Sequence, residues 1–235
     1  MSFFEEHGLK IDKIAAGMYH SVAVTTEGDL YTWGRGQYGV LGNGSNALSL
    51  LPLLNDEMKA VTDESGDRIS KIDAADEFTG ALTEQGELFV WGKNERGQLG
   101  LGSGIGIDMV ESESFPVSLG FDGRRVRDFH CGQNTMIVQL EDGSIYKTGL
   151  KLDYTPKHVD LDNNFDGSAS MLACGRKHYV IANQHDQMLA WGDVFKEKTS
   201  TQTAGFKMYF GKDLFNGQRL RQLSMKYGIY GALLE

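Results

Sequence analysis

Short apolar runs alternate with Gly-centred polar breaks along this chain, and the runs come in pairs. In the first pair, Ser21-Val22-Ala23-Val24-Thr25 is small and β-branched, Glu27-Gly28 is a turn signal, and Leu30-Tyr31-Thr32-Trp33 is apolar and aromatic. Two short strands about a Gly turn predict a β-hairpin. The pattern returns as Gly80-Ala81-Leu82-Thr83, the turn Gln85-Gly86, and Leu88-Phe89-Val90-Trp91. A third copy runs Ile137-Val138-Gln139-Leu140, Asp142-Gly143 and Ile145-Tyr146. A fourth runs Tyr179-Val180-Ile181-Ala182, Asp186-Gln187 and Met188-Leu189-Ala190-Trp191. A fifth starts at Leu220, and its Tyr230-Gly231-Ala232-Leu233-Leu234-Glu235 aligns with residues 79–84.

The copies share one internal offset. An anchor Gly or Ala reaches an equivalent position 16 residues later: Gly17 leads to Trp33, Ala75 to Trp91, Gly132 to Thr148 and Gly175 to Trp191. A Gly follows each end point, at Gly34, Gly92, Gly149 and Gly192. A fixed offset means one structural unit used repeatedly. Hairpins this short are unstable alone and must pack on neighbours. The anchors at 17, 75, 132, 175 and 226 are separated by 58, 57, 43 and 51 residues, which suits about four strands per unit, the size of a propeller blade. Segments 48–70, 103–125, 151–168 and 195–218 are polar, Gly-rich and variable in length, and read as outer strands with surface loops. The expected fold is all-β: a single repeat array over 1–235, with repeat cores at about 14–44, 72–102, 126–149, 171–194 and 220–235.

Ala15-Ala16-Gly17-Met18-Tyr19-His20-Ser21 through Trp33-Gly34, and Trp91-Gly92-Lys93-Asn94-Glu95-Arg96-Gly97-Gln98-Leu99-Gly100, resemble the repeats of the regulator of chromosome condensation family. The resemblance covers nearly the whole chain and is most specific in the first two copies. Later copies depart from it: Thr135 stands in the His position, Thr148 in the Trp position, and neither later copy keeps the Gly-Gln-Leu-Gly tail. The resemblance implies a β-propeller of that family's type, about four and a half blades of a nominal seven. It also implies a functional surface. In the family's nucleotide-exchange member for the Ran GTPase, acidic and His residues of the Gly-x-x-His loops lie on the GTPase-binding face. The matching positions here are Met18, Tyr19 and His20; Asp76, Glu77 and Phe78; Gln133, Asn134 and Thr135; Arg176, Lys177 and His178. From these, Tyr19, His20, Asp76, Glu77, Asn134, Lys177 and His178 are expected to form a partner-binding rim.

Composition narrows the function classes. A net charge of −9 argues against binding nucleic-acid phosphates as the main task. The basic clusters Arg124-Arg125-Val126-Arg127 and Arg219-Leu220-Arg221 are small and read as solvated strand faces. No 18-residue apolar stretch predicts a direct membrane span, and the first residues lack the basic and apolar regions of a secretory signal. Cys131 and Cys174 both precede an anchor Gly, in the slot held by Ala16 and Ala74, and read as small buried side chains of a reduced, intracellular protein. The cytoplasm is the expected compartment, with mitochondrion and nucleus as alternatives.

Gly34-Arg35-Gly36-Gln37-Tyr38-Gly39 fits the dinucleotide pattern, but the next residues, Val40 to Ser45, are turn-rich and supply no helix for a pyrophosphate. The six His form no metal spacing, and His20 and His178 share one repeat slot, as structural hydrogen-bonding residues would. No nucleophile elbow or Cys–His pair is present. The expected protein is therefore not an enzyme, with no catalytic residue, cofactor or metal. It is a protein–protein interaction scaffold within a larger intracellular assembly, with other protein subunits as partners. The alternative that the resemblance carries is a guanine-nucleotide exchange factor acting on a Ran-like small GTPase.

Overall fold

The computed structural model of the chain describes residues 3–102, 112–150, 153–161, 165, 169–176, 178–192, 208–210, 220–226 and 229–234. The first sheet is β1 (Ile11–Ala16), β2 (His20–Thr25), β3 (Leu30–Gly34) and β4 (Ser49–Leu54), antiparallel and in chain order. The second is β5 (Ile69–Ala74), β6 (Phe78–Thr83), β7 (Leu88–Lys93) and β8 (Ser112–Ser118). The third is β9 (Val126–Cys131), β10 (Thr135–Leu140), β11 (Ile145–Gly149) and β12 (Asp153–His158). The fourth is β13 (Ala169–Cys174), β14 (His178–Asn183), β15 (Met188–Gly192) and β16 (Met208–Phe210). A two-stranded sheet, β17 (Leu220–Lys226) with β18 (Ile229–Leu234), makes the half blade. A short helix α1 (Phe3–Glu6) precedes β1, and α2 (Asp56–Ser65) joins the first two sheets.

Register repeats from blade to blade. Ser21 pairs with Ala16 and Trp33, Thr79 with Ala74 and Trp91, Met136 with Cys131 and Thr148, and Tyr179 with Cys174 and Trp191. The first strand of each blade packs beside the first strand of the next, so β1, β5, β9, β13 and β17 line a central channel. Between blades the core is apolar: Val22, Val24 and Leu30 of blade 1 cluster with Ile72, Ala81, Phe89 and Trp91 of blade 2. Each of the Val, Leu, Ile and Phe side chains, fully buried, contributes roughly 1.5–3 kcal/mol. The outermost strands carry all three prolines of the chain, Pro52, Pro116 and Pro156, at matching places on β4, β8 and β12. Proline there removes a donor and blunts an edge that would otherwise pair with another strand.

A loop after the third strand clamps blade 1 to blade 2 and blade 2 to blade 3. The Val40 carbonyl accepts from Trp91 Nε1 at 2.9 Å and from Thr79 Oγ1 at 3.2 Å. The Gly44 N–H donates to the Ser114 carbonyl at 2.9 Å. One blade on, the Gln98 carbonyl accepts from Thr148 Oγ1 at 2.7 Å, and the Gly102 N–H donates to the Tyr154 carbonyl at 2.8 Å. The Thr that replaces the repeat Trp therefore makes the same bond. Tyr179, in the slot of Thr79 and Met136, donates its hydroxyl to the Thr148 carbonyl at 2.9 Å and stacks on Trp191. The departures in the third copy are thus absorbed between blades. Among the described residues, the buried indole N–H of Trp191 has no hydrogen-bond partner.

Buried Asn55 ties α2 to this clamp. Its Oδ1 caps the helix by accepting from the Met58 N–H at 2.9 Å, while its Nδ2 donates to the carbonyls of Leu41 (3.2 Å) and Gly42 (3.0 Å). Arg124, Arg125 and Arg127 are exposed, and arginines here also brace turns. Arg125 Nε donates to the Gln85 carbonyl of the preceding hairpin turn, and an Arg68 guanidinium nitrogen donates to the matching Thr26 carbonyl. Arg124 reaches the Phe121 carbonyl and the Tyr146 hydroxyl. Arg219 lies outside the described residues.

Candidate interaction rim

Four tight turns join the first and second strands of the blades. Each is closed by the N–H of the anchor residue: Gly17 to the His20 carbonyl (3.0 Å), Ala75 to Phe78 (3.0 Å), Gly132 to Thr135 (2.8 Å) and Gly175 to His178 (2.9 Å). A second brace comes from the Gly-containing end of the third strand. The N–H groups of Arg35 and Lys93 donate to the carbonyls of Tyr19 and Glu77, both at 2.8 Å, and that of Leu150 to Asn134 at 3.2 Å. This close approach explains the Gly after each Trp or Thr. A Cβ on Gly34, Gly92 or Gly149 would sit 2.4, 2.7 or 2.1 Å from those same carbonyl oxygens, and all three have φ near +100°.

The braced turns divide the predicted rim residues into two groups. Tyr19 (52 % exposed) and Met18 stand out from the surface, and Asp76, Glu77 and Asn134 are half-buried at the same level of neighbouring blades. His20 and His178 point inward and are 3 % and 1 % exposed, so the rim contracts by these two residues. The reason is visible in the other copies: the same slot holds Phe78 and Thr135, both wholly buried. Lys177 lies outside the described residues. His20 Nε2 meets Thr79 Oγ1 at 2.9 Å, and Thr79 passes its own proton to the Val40 carbonyl, so the imidazole is the donor in that bond. Burial pushes the His20 pKa down to about 4, which keeps the ring neutral at physiological pH.

Three further residues, Arg35, Tyr38 and Lys93, lie beside these turns. The Arg35 guanidinium lies 4.6 Å from the Tyr19 ring centroid. Lys93 bonds Glu77 at 2.7 Å and lies 4.1 Å from the Tyr38 ring centroid. Burial lowers the Lys93 pKa, but its bonds to Glu77 and Tyr38 and the nearby charges of Glu77 and Glu95 outweigh this and raise it. Arg35 and Lys93 both follow the repeat Gly, and that shared offset is the sequence signal that marks them. Tyr, Arg and Met on a rigid backbone are the residue types that anchor protein interfaces.

Inside the rim the channel opens as a cavity of about 250 Å³, lined in part by Asp73, Asp76, His130, Cys131, Gln133 and Cys174. Blades 2 and 3 are bridged there. Lys71 Nζ donates to Asp128 Oδ1 at 2.6 Å and to His130 Nε2 at 3.0 Å, and His130 Nδ1 lies 3.4 Å from Asp73 Oδ2, which also accepts the Cys131 N–H at 2.9 Å. Both thiols are held protonated: burial, Asp73 and Cys174 push Cys131 well up, and burial takes Cys174 to about 12. Among the described residues no group of three ligating side chains could hold a metal. Among those same residues, no helix is long and apolar enough to cross a membrane.

Four-stranded blades around a channel, bound together by a repeated loop clamp, define a β-propeller repeat protein. The chain belongs to the regulator of chromosome condensation family: the Regulator of chromosome condensation (RCC1) repeat matches residues 27–82 and 85–138, and a second form of the same repeat matches 11–40 and 69–98. Over 202 residues the chain is 31 % identical to "RCC1 domain-containing protein RUG3, mitochondrial" of Arabidopsis thaliana, covering 80 % of this chain and 43 % of that protein. It is 31 % identical to the ultraviolet-B receptor UVR8 of the same plant, covering 79 % and 42 % respectively. A 31 % match to human E3 ubiquitin-protein ligase HERC2 covers 78 % of this chain but 4 % of that protein. The chain thus spans less than half the length of these relatives, whose roles differ widely. Among solved structures, human WBSCR16 aligns with a TM-score of 0.74 at 20 % identity, over 96 % of this chain and 58 % of that one. Prp20p of Saccharomyces cerevisiae, described with its binding to Gsp1p and histones, aligns with a TM-score of 0.74 at 18 % identity, over 96 % and 55 %.

Proposed function

We propose that this chain is a non-enzymatic interaction scaffold, a subunit of a larger intracellular assembly, and that it receives protein partners on the rim formed by Met18, Tyr19, Arg35, Asp76, Glu77 and Asn134. The observation that carries this reading is the contrast between frame and side chains. The turns are braced by the same hydrogen bonds in successive blades, while the residues they present change from aromatic to acidic to amide. A constant backbone with variable outward residues is how a repeat fold makes a recognition surface. The test is affinity isolation of the intact protein under native conditions, with stoichiometry measured for the proteins that stay bound. Tyr19→Ala combined with Arg35→Ala is expected to release a stoichiometric partner while leaving the melting temperature within a few degrees. A protein that isolates alone, or a partner retained by the double variant, refutes the rim reading.

A second reading rests on the acidic pair Asp76 and Glu77 on this rim and on the fold shared with Prp20p. It makes the chain an exchange factor for a Ran-like GTPase. Asp76→Ala with Glu77→Ala should then abolish accelerated nucleotide release from such a GTPase. No acceleration by the unaltered protein removes this reading.

A further inference from the structure

We infer, resting on the rim reading, that the partner is a different protein taken by a single carboxylate side chain on Arg35, with an apolar side chain beside it on Met18 and Tyr19. One relation recurs in three blades. The residue after the repeat Gly is tied by its backbone N–H to the second residue past the anchor: Arg35 to Tyr19, Lys93 to Glu77 and Leu150 to Asn134. In blade 2 the side chains of that pair are a cation and a carboxylate, and Lys93 closes on Glu77 at 2.7 Å. In blade 3 neither side chain is charged. Blade 1 keeps the cation without the carboxylate, because Tyr19 stands where blade 2 has Glu77.

Arg35 is therefore short of a counter-charge. Its guanidinium rests on the Tyr19 ring, and among the described residues it has no side-chain hydrogen bond or ion pair. Asp76 and Glu77 line the same notch as Tyr19 and Arg35, yet neither pairs with the guanidinium, and Glu77 is spent on Lys93. The Arg35 side chain is exposed but not loose. Its backbone bond of 2.8 Å and its ring contact of 4.6 Å both hold it to one residue, Tyr19, on a braced turn. A guanidinium fixed in this way offers a planar fork that takes a carboxylate bidentately, with little further ordering cost.

The surroundings set the selectivity. A phosphate group or a run of acidic residues would also meet Asp76 and Glu77, on a chain of net charge −9. One Asp or Glu side chain meets that repulsion least. Met18 and Tyr19, 47 % and 52 % exposed, place a thioether and an aromatic ring beside the fork, and both suit an apolar neighbour of that carboxylate.

The test uses the intact protein with the protein that stays bound in native isolation. Arg35→Gln removes the charge and keeps a polar side chain of similar reach. It should lower retention of that partner by about tenfold or more, with the melting temperature unchanged. Arg35→Lys puts a primary amine at the fork. A zero-length carbodiimide, which condenses an amine and a carboxylate to an amide with loss of water, should then join position 35 to one Asp or Glu of the partner. The unaltered protein, with no amine there, should give no adduct at 35. Changing the mapped carboxylate to Arg should release the partner from the unaltered protein and restore its retention by Arg35→Glu. An adduct to Asp76 or Glu77 of the same chain, to a second copy or to no partner carboxylate overturns the inference, as does full retention by Arg35→Gln. If Arg35→Gln keeps the partner while Tyr19→Ala releases it, the carboxylate is refuted and the rim reading stands. A protein that isolates alone removes both.

Discussion

Acidification should loosen this protein through one buried imidazole. His20 donates to Thr79, which donates to the Val40 carbonyl that also takes Trp91, so the ring sits in the joint between blades 1 and 2. Burial lowers its pKa from 6.5 to about 4. The unfolded chain therefore binds a proton below pH 6.5 that the folded chain refuses. The stability His20 contributes is complete above 6.5 and is lost as pH falls toward 4. A tenfold change in proton affinity corresponds to about 1.4 kcal/mol, so roughly 2 kcal/mol should disappear between pH 7.5 and pH 5. Equilibrium urea unfolding, followed by tryptophan fluorescence at the two pH values, measures this directly. In His20→Gln the loss over that interval should shrink by roughly the same 2 kcal/mol. Burial lowers the His178 pKa as well, so a residual slope of the same sign will remain. An unchanged slope in the variant, or an NMR titration of His20 in the folded protein near 6.5, would show that the burial argument is wrong.

Other sites yield sharper structural tests. Gly149→Ala should destabilise by on the order of 2–4 kcal/mol, because its Cβ would lie 2.1 Å from the Asn134 carbonyl oxygen at a φ of +102°; a change under about 1 kcal/mol by urea unfolding would refute the close-approach account. Thr148→Val should cost about 1–2 kcal/mol by orphaning the Gln98 carbonyl, again read by urea unfolding. Thr148→Trp, which restores the repeat residue, should lower the melting temperature, since the fully buried site already abuts Gly100 and Tyr179; a rise would mean that the slot has room. Cys131 and Cys174 should stay unreactive to a thiol reagent at pH 7.5 until denaturant is added, and rapid labelling of either in the folded state would contradict their raised pKa values.

The propeller is legible in the sequence because its signal is repeated. A 16-residue offset, present even where Trp becomes Thr, is the strand register itself: the anchor, the turn and the paired partner of each second strand recur in step. The candidate rim is less legible: Tyr19 is exposed and Asp76, Glu77 and Asn134 are half-buried at their turns, whereas His20 and His178 are buried. A polar residue type points to the surface there, but the slot decides, and Phe78 in the same slot argues for the interior. Arg35 and Lys93 share their offset after the repeat Gly, but their contacts join a turn before the second strand to the end of a third strand, a relation that sequence distance hides. The bonds of the loop clamp are less legible still, since their acceptors are the backbone carbonyls of Val40 and Gln98 and their donors change from Trp91 to Thr148.

That clamp has a bearing on how such a chain can be lengthened or cut. The family repeat matched at 27–82 runs from the hairpin turn of one sheet to the second strand of the next, so it holds β3, β4, β5 and β6. Within that span the donor Thr79 and the accepting Val40 carbonyl belong to the same repeat, and the Trp91 that joins them arrives with the next. The heritable unit is therefore out of phase with the sheet by half a blade. A duplication at its boundaries adds two outer strands to one blade and two inner strands to its neighbour, and carries the Thr79–Val40 joint with it. Cutting between sheets instead divides that joint. Gene segments meant to be exchanged among such proteins should begin at the turn after the second strand, where a crossover separates hairpins rather than interfaces.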